Sequence, residues 1–253
     1  MLFSRRILLS FAVLALASGR THAVSAVVIP PPPAAAVTVD GETIDLSRFI
    51  KPVDESAKFF SLDATLEVNG NSIHVTALYN TDPFITFGVT TTNFGPGPVA
   101  YSFLFGTPIV PGFYNNATST GGVSFTNGAS GTSTITNGGS YAPAYISGYG
   151  TVGLVPTNLG VDIGVGPVVS GPGIPFTVTT IDSFGPAGTV FAPTFYDNLE
   201  AIVSYTQSDI GSVASWSGAI TLNAVVPEPT SMAMLGMGIL MIGGSRVLRR
   251  RKA

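Results

Sequence analysis

The chain has 253 residues, of which 45% are hydrophobic and only 10% charged, and it contains 30 Gly, 19 Pro and no Cys. The absence of cysteine excludes disulfides, thiolate metal ligands and a cysteine nucleophile. Between residues 27 and 226, 13 acidic side chains stand against only Arg48, Lys51 and Lys58, a net charge of −10. Such a surface repels nucleic acid and anionic lipid, so we expect no nucleic-acid partner.

The N-terminal residues have the order of a secretory signal peptide. Arg5 and Arg6 precede an apolar stretch that ends in small residues, as signal peptides do. We predict a signal peptide at residues 1–26 that is cleaved after Ala26, with cleavage after Ala23 as the second option. The arginine pair also resembles the twin-arginine pattern, so the export machinery is either the general secretory or the twin-arginine route.

A proline- and alanine-rich stretch follows at residues 27–39, and we predict that it forms an extended polyproline linker. From residue 40 to residue 226, short runs of β-branched and aromatic residues alternate with Gly, Pro and Asn. This alternation is typical of strands joined by tight turns. The sequence therefore predicts an all-β body, an antiparallel β-sandwich or jelly-roll-like single domain.

The clearest element of the body is a hairpin at residues 64–77. Asn69 and Gly70 suit a two-residue turn, which places Leu66 opposite Ile73 on the core face. Further strands are predicted at residues 84–91, 99–105, 123–126, 132–136, 176–181, 199–205 and 216–225.

Two predictions concern how these strands pair. The strands at 199–205 and 216–225 both alternate apolar and polar residues, so we expect them to be neighbours that bring Trp216, the only tryptophan, into the core. The near-repeat of residues 124–128 and 134–138, SFTNG and TITNG, is interpreted as a polar hairpin.

Histidine chemistry depends on one residue, because His74 is the only histidine after the predicted signal peptide. A Ser-His-Asp arrangement or a histidine metal site must include it. The hairpin register puts His74 opposite Thr65 on the polar face, with Glu67 diagonally near. We therefore interpret it as a solvent-facing strand residue and expect no cofactor or metal.

Carboxylates are the remaining route to catalysis, since glycoside hydrolysis needs two of them on facing elements. The candidates in the second half of the body are Asp162, Asp182, Asp197, Glu200 and Asp209. Solvated loop and strand-end positions explain them more simply. Calcium is an alternative ligand for the same oxygens, although the spacing is not that of an EF-hand.

Three tyrosines are candidates for contact with sugars. Tyr141, Tyr145 and Tyr149 lie close together in the sequence, and exposed aromatic rings stack on the apolar faces of sugars. The alternative is that these rings fill the core.

The C-terminal residues 227–253 carry three features in series. Pro227, Glu228 and Pro229 hold the backbone extended. Residues 230–244 are uncharged and, as a helix of roughly 22 Å, form a marginal span for a hydrocarbon core of about 30 Å. A basic cluster follows, which marks the cytoplasmic side of a membrane; its members are Arg246, Arg249, Arg250, Arg251 and Lys252.

This order of Pro-Glu-Pro, short apolar helix and terminal basic cluster resembles the PEP-CTERM sorting signal of Gram-negative bacteria. The resemblance implies an exosortase as processing partner, a membrane enzyme with a cysteine nucleophile. It also implies a transient anchor in the inner membrane and final delivery to the outer envelope or to an exopolysaccharide or biofilm matrix.

We accordingly expect a non-enzymatic, exported protein that is structural or associated with extracellular polysaccharide. The alternative is a secreted glycan-active hydrolase that uses paired carboxylates.

Overall fold

The computed structural model of the chain describes residues 32–53, 58–137, 144–153 and 155–224. Within these ranges the regular structure consists of β-strands and one 3-10 helix at Ser47–Phe49. No helix in them has the length and apolar character needed to cross a membrane. The predicted signal helix and C-terminal transmembrane helix lie outside the described residues. The predicted all-β, antiparallel class is confirmed.

Thirteen strands, all paired antiparallel, form the described sheet. They are β1 (Ala34–Val39), β2 (Glu42–Asp45), β3 (Ile50–Pro52), β4 (Phe59–Val68), β5 (Asn71–Asn80), β6 (Phe84–Thr92), β7 (Val99–Thr126), β8 (Ser133–Thr136), β9 (Ile146–Val152), β10 (Val155–Asn158), β11 (Val168–Ser170), β12 (Thr179–Gln207) and β13 (Val213–Ala224).

Two long strands, β7 and β12, run through the whole sheet and divide it into two arms. The first part of β7 pairs with β1 and with the last part of β12, which also pairs with β9. The second part of β7 pairs with β13 and with the first part of β12, and β6, β5, β4 and β3 continue from β13. Register shifts in the β7–β12 ladder lie between the two parts and bend both strands.

The two arms pack face to face and enclose the core. Phe87 of β6 stacks on Phe105 of β7 with ring centroids 5.2 Å apart, although these strands share no ladder. The ring centroids of Tyr205 on β12 and Trp216 on β13 are 5.0 Å apart, and these two strands also share no ladder. Gly121 is required at this contact, because a Cβ there would meet the Ile146 side chain and lie 2.9 Å from the carbonyl oxygen of Ser217.

The predicted hairpin is confirmed with its register. Asn69 and Gly70 have positive φ values of 52° and 80°, as a type I′ turn requires, and Leu66 is paired with Ile73. Ile73 is fully buried, whereas Leu66 is partly buried against the core.

Several predicted boundaries are wrong. Residues 34–39 of the predicted linker form strand β1, which pairs with β7. The predicted strands 99–105 and 123–126 are parts of β7, and 199–205 and the second half of 176–181 belong to β12. Proline and glycine between these runs suggested turns, but the strands bend through them by register shifts instead of reversing.

Two predicted pairings are also wrong. The strand at 199–205 and the strand that holds Trp216 are not neighbours, because β7 lies between β12 and β13 in the sheet. Trp216 is nevertheless buried, as predicted, with 2% of its surface exposed. The near-repeat forms no hairpin, since β8 pairs with β11 and β12, not with the end of β7.

The first part of β12 forms an edge of the sheet. Between Thr179 and Tyr196 its ladder runs to β7 alone among the described residues. This edge contains Pro186 and Pro193, and the ladder to β7 is irregular between Phe184 and Ala187 and between Val190 and Thr194. Proline and bulges are typical of edge strands, which they keep from pairing further.

Because Trp216 packs against aromatic rings of the opposite arm, we expect Trp216→Ala to lower the free energy of unfolding by about 3 to 5 kcal/mol. Urea unfolding of the full chain, followed by far-ultraviolet circular dichroism, measures this. Val190→Ala is the control, since Val190 is 77% exposed and its truncation should change stability by less than about 0.5 kcal/mol. Equal stability of wild type and Trp216→Ala would show that the aromatic contacts between the arms do not hold them together.

Candidate functional site

The predicted sorting residues lie outside the described part of the chain. They are Pro227, Glu228 and Pro229, the basic cluster Arg246, Arg249, Arg250, Arg251 and Lys252, and the cleavage residue Ala26. The structure of the body therefore bears on the other candidates, which are His74, the five carboxylates and the tyrosines.

His74 lies on the exposed face of β5, opposite Thr65 as predicted. Its Nε2 is 3.1 Å from Oδ1 of Asp63, so the diagonal neighbour in contact is Asp63 and not the predicted Glu67. Asp63 and Glu67 each lie two residues from Thr65 on β4, so both are diagonal to His74. The twist of the sheet brings one of two such diagonal neighbours closer than the other. An exposed ion pair of this kind contributes about 0 to 1 kcal/mol and includes no nucleophile.

Asp209 has a structural role at the loop after β12. Its Oδ2 accepts hydrogen bonds from the hydroxyls of Ser130 at 2.6 Å and Ser133 at 3.0 Å. Burial raises the pKa of this carboxyl, but the hydrogen bonds from Ser130, Ser133 and the backbone outweigh that effect and the net pKa is lowered. The charged form therefore ties together the loops at this end of the sheet.

Asp197 and Asp182 stand apart from each other. The carboxylate of Asp197 accepts a hydrogen bond from the backbone N–H of Gly153, with distances of 3.1 and 3.2 Å to its two oxygens. Asp182 is exposed on the edge of β12 and accepts a bond from the backbone N–H of Ser183. Neither contact brings a second carboxylate to the same point.

Tyr145 is part of the core and offers no surface to a ligand. It is fully buried, and its hydroxyl donates to the carbonyl oxygens of Ile135 and Gly166. Its ring centroid lies 5.0 Å from that of Trp216. The core alternative thus holds for Tyr145, whereas Tyr141 lies outside the described residues.

Tyr149 differs from Tyr145, because it is half-buried on the outer face of β9. The ladders place it opposite Glu200 of β12 on one side and Asn158 of β10 on the other. Asp162 and Asn198 complete the group, which we call the Tyr149 cluster. It consists of Tyr149, Asn158, Asp162, Asn198 and Glu200.

The polar groups of the Tyr149 cluster are held by hydrogen bonds. The amide of Asn158 donates from Nδ2 to Oδ2 of Asp162 at 3.0 Å. The amide of Asn198 donates to Oε1 of Glu200 at 3.2 Å. Each carboxylate therefore has a neighbouring amide that fixes its orientation. Both amides lie within four residues of their carboxylates in the chain, and only the β9–β12 and β9–β10 registers bring the two pairs to Tyr149.

The electrostatics of the cluster reflect two negative groups around one ring. Burial and the charge of Asp162 raise the pKa of the Tyr149 hydroxyl, with a smaller effect of Glu200, and a hydrogen bond with Asn158 offsets part of the rise. Burial also raises the pKa of the Glu200 carboxyl, against the opposing effect of the Asn198 hydrogen bond. Asp162 and Glu200 are thus the two predicted acids that the fold brings to a common neighbour.

The cluster holds too few acidic ligands for a typical carboxylate cation site. Nowhere in the described ranges do three or more His, Cys, Asp or Glu side chains come together in a way that fits a metal ion. Two carboxylates and two amides beside an aromatic ring instead offer hydrogen-bond acceptors, donors and a stacking surface.

The raised pKa of Glu200 leads to a prediction on stability. When folding raises the pKa of a carboxyl, the folded state accommodates its protonated form better than its charged form. The carboxyl therefore lowers the free energy of unfolding as the pH rises from its unfolded pKa through its folded pKa. Glu200→Gln should therefore raise the melting temperature at neutral pH, and this gain should vanish in acid below the ordinary glutamate value of 4.5. Glu67→Gln, at an exposed position of β4, is the control. A gain that is the same at every pH would contradict the assignment.

Comparison with known protein families matches residues 225–252 to the PEP-CTERM protein-sorting motif. No curated protein matches the chain. The motif covers the Pro-Glu-Pro, the uncharged run and the basic cluster, and it implies an exosortase as processing partner and export through a membrane-anchored sorting signal. The chain therefore carries a PEP-CTERM protein-sorting motif at its residues 225–252, and this match assigns no family to the body.

Proposed function

We propose that the protein is exported, held briefly in the inner membrane by residues 230–248, processed by exosortase and delivered to the outer envelope or extracellular matrix. Its body, a β-sandwich or jelly-roll-like domain, associates there with polysaccharide and catalyses no reaction. The observation that carries the sorting half of this proposal is the motif at residues 225–252. The Tyr149 cluster supports the half that concerns glycan.

The Tyr149 cluster combines the groups that sugars bind. A half-buried tyrosine ring stacks on the apolar face of a pyranose, while the amides of Asn158 and Asn198 and the carboxylates of Asp162 and Glu200 meet its hydroxyls as donors and acceptors. Because these groups are already held by hydrogen bonds to one another, little side-chain ordering is needed on binding.

Charge favours a neutral polysaccharide over an acidic one. The span from residue 27 to residue 226 has a net charge of −10, and the cluster itself contains two carboxylates. An acidic polymer would be repelled at long range and at the site, whereas a neutral glycan meets no such barrier.

We expect Tyr149→Ala to abolish binding to a neutral polysaccharide, because the stacking surface is lost. Tyr149→Phe is the matched control, since it keeps the ring and removes only the hydroxyl. Affinity electrophoresis of the full chain against a panel of neutral and acidic polysaccharides measures both variants. Equal retention of wild type and Tyr149→Ala on every polymer would refute a glycan site at this cluster.

A glycan hydrolase is the second candidate, and one observation favours it. The pKa of Glu200 is raised, and Glu200 and Asp162 both lie near Tyr149. Two carboxyls in different environments are the arrangement with which hydrolases provide a general acid and a second, charged carboxylate. Glu200→Gln separates the two functions. A binding site retains its polysaccharide with Gln in this position, whereas a hydrolase loses turnover, measured as released reducing ends.

The sorting half is tested with two variants that alter different parts of the motif. Replacement of Pro227, Glu228 and Pro229 with Ala removes the extended segment presented to the processing enzyme, so we expect an uncut protein in the inner membrane. Replacement of all five basic residues from Arg246 to Lys252 with neutral ones removes the stop-transfer charge, so we expect some protein to pass the membrane with its tail attached.

Intact mass and membrane fractionation read out both variants. A mature wild-type protein that keeps its C-terminal residues, together with wild-type behaviour of both variants, would show that the tail is an ordinary anchor.

A further inference from the structure

The end of the body from which the C-terminal residues leave carries an apolar groove of about 550 Å³. It lies between the β5–β6 turn, the bend of β7 and the end of β13. Pro83, Val110, Pro111, Phe113 and Leu222 form its apolar walls. Among the described residues that line it, Asp82 is the only one with a charged side chain.

Large apolar side chains beside this groove are exposed. Val110 is 63% exposed, Phe113 59% and Phe195 39%, and the rings of Phe113 and Phe195 meet edge to face with centroids 5.7 Å apart. We call these three residues, together with Pro111, the basal patch. A contiguous exposed patch of this kind marks a surface that contacts another apolar phase.

The chain itself brings the basal patch close to a membrane. Ala224 lines the groove and ends β13, and only five residues, 225–229, separate it from the uncharged run that begins at Thr230. Five extended residues span at most about 18 Å. This step rests on the proposed function, in which the uncharged run enters the inner membrane.

We propose that the basal patch rests on the lipid interface of the inner membrane while the C-terminal segment is inserted. Aromatic rings are favoured at the level of the headgroups, and burial of exposed apolar surface there stabilises the contact without any basic residue. No Lys or Arg is found among the described residues that line the groove, which predicts a contact with zwitterionic lipid that does not weaken with salt.

The lack of cysteine in the chain permits a clean test with one nitroxide label. The full-length Phe113→Cys variant is labelled and reconstituted in phosphatidylcholine vesicles. Collision rates of the label with oxygen, which concentrates in lipid, and with a polar nickel chelate then report its depth. We expect a several-fold rise in the ratio of oxygen to chelate collisions when vesicles are added.

Phe94→Cys is the matched control. The exposed fraction of Phe94, 54%, is similar to that of Phe113. Phe94 follows the C-terminal end of β6, however, and this end is far from the groove. The β6 residue nearest the groove is Phe84, paired with the groove residue Thr221, and the 9 residues of β6 separate the two ends by roughly 30 Å. We expect no change of the ratio at position 94.

Three results would overturn the inference. A label at position 113 that stays accessible to the chelate, in a chain that sediments with the vesicles, excludes lipid contact and leaves membrane insertion intact. Dipolar broadening between labels shows that a second copy covers the patch instead. A chain that does not sediment with vesicles refutes both this contact and the insertion on which it rests. Phe195→Cys repeats the measurement at a second position, and melting curves establish that each variant is folded.

Discussion

The pairing of β7 with β12 is the constraint on which the body depends. The two strands remain hydrogen-bonded from Val99 and Gln207 at one end to Thr126 and Thr179 at the other, through bends they share. β1 and β13 pair with β7, β9 pairs with β12, and β6, β5, β4 and β3 continue the sheet from β13. Without the pairing of β7 with β12, each arm would be a small sheet with one apolar face in water, and the contact between Trp216 and Tyr205 across the two arms would be lost.

Local chemistry made some of the fold predictable and long-range pairing made the rest unpredictable. The Asn69-Gly70 turn determines its hairpin, because both residues accept the positive φ that the turn needs. The bends of β7 and β12 contain the same prolines and glycines that elsewhere end a strand. Whether such residues reverse the chain or only bend it depends on the partner strand, and at these bends the paired residues are 63 to 90 positions apart in the sequence.

In the candidate site, too, local features were predictable from the sequence and long-range neighbours were not. The sorting motif is continuous in sequence and was recognised from its own residues. Asp162 and Glu200 were identified as candidates by residue type, but their common neighbour Tyr149 follows from the β9–β12 ladder. Tyr145, four residues from Tyr149, lies just before β9 and is buried, whereas Tyr149 lies within β9 and is half-buried. No local pattern of this glycine-rich segment distinguishes the two.

The proline-interrupted edge of β12 has a consequence for the protein at high concentration. When many copies of a protein are crowded together, a straight, unpaired strand edge in each copy would recruit the next one into a growing fibril. Pro186 and Pro193 offer no N–H to an incoming strand, and the bulges beside them break the spacing that a continuous ladder requires. The body is thereby suited to crowding, since neighbouring molecules remain separate and their backbones do not join into cross-β aggregates.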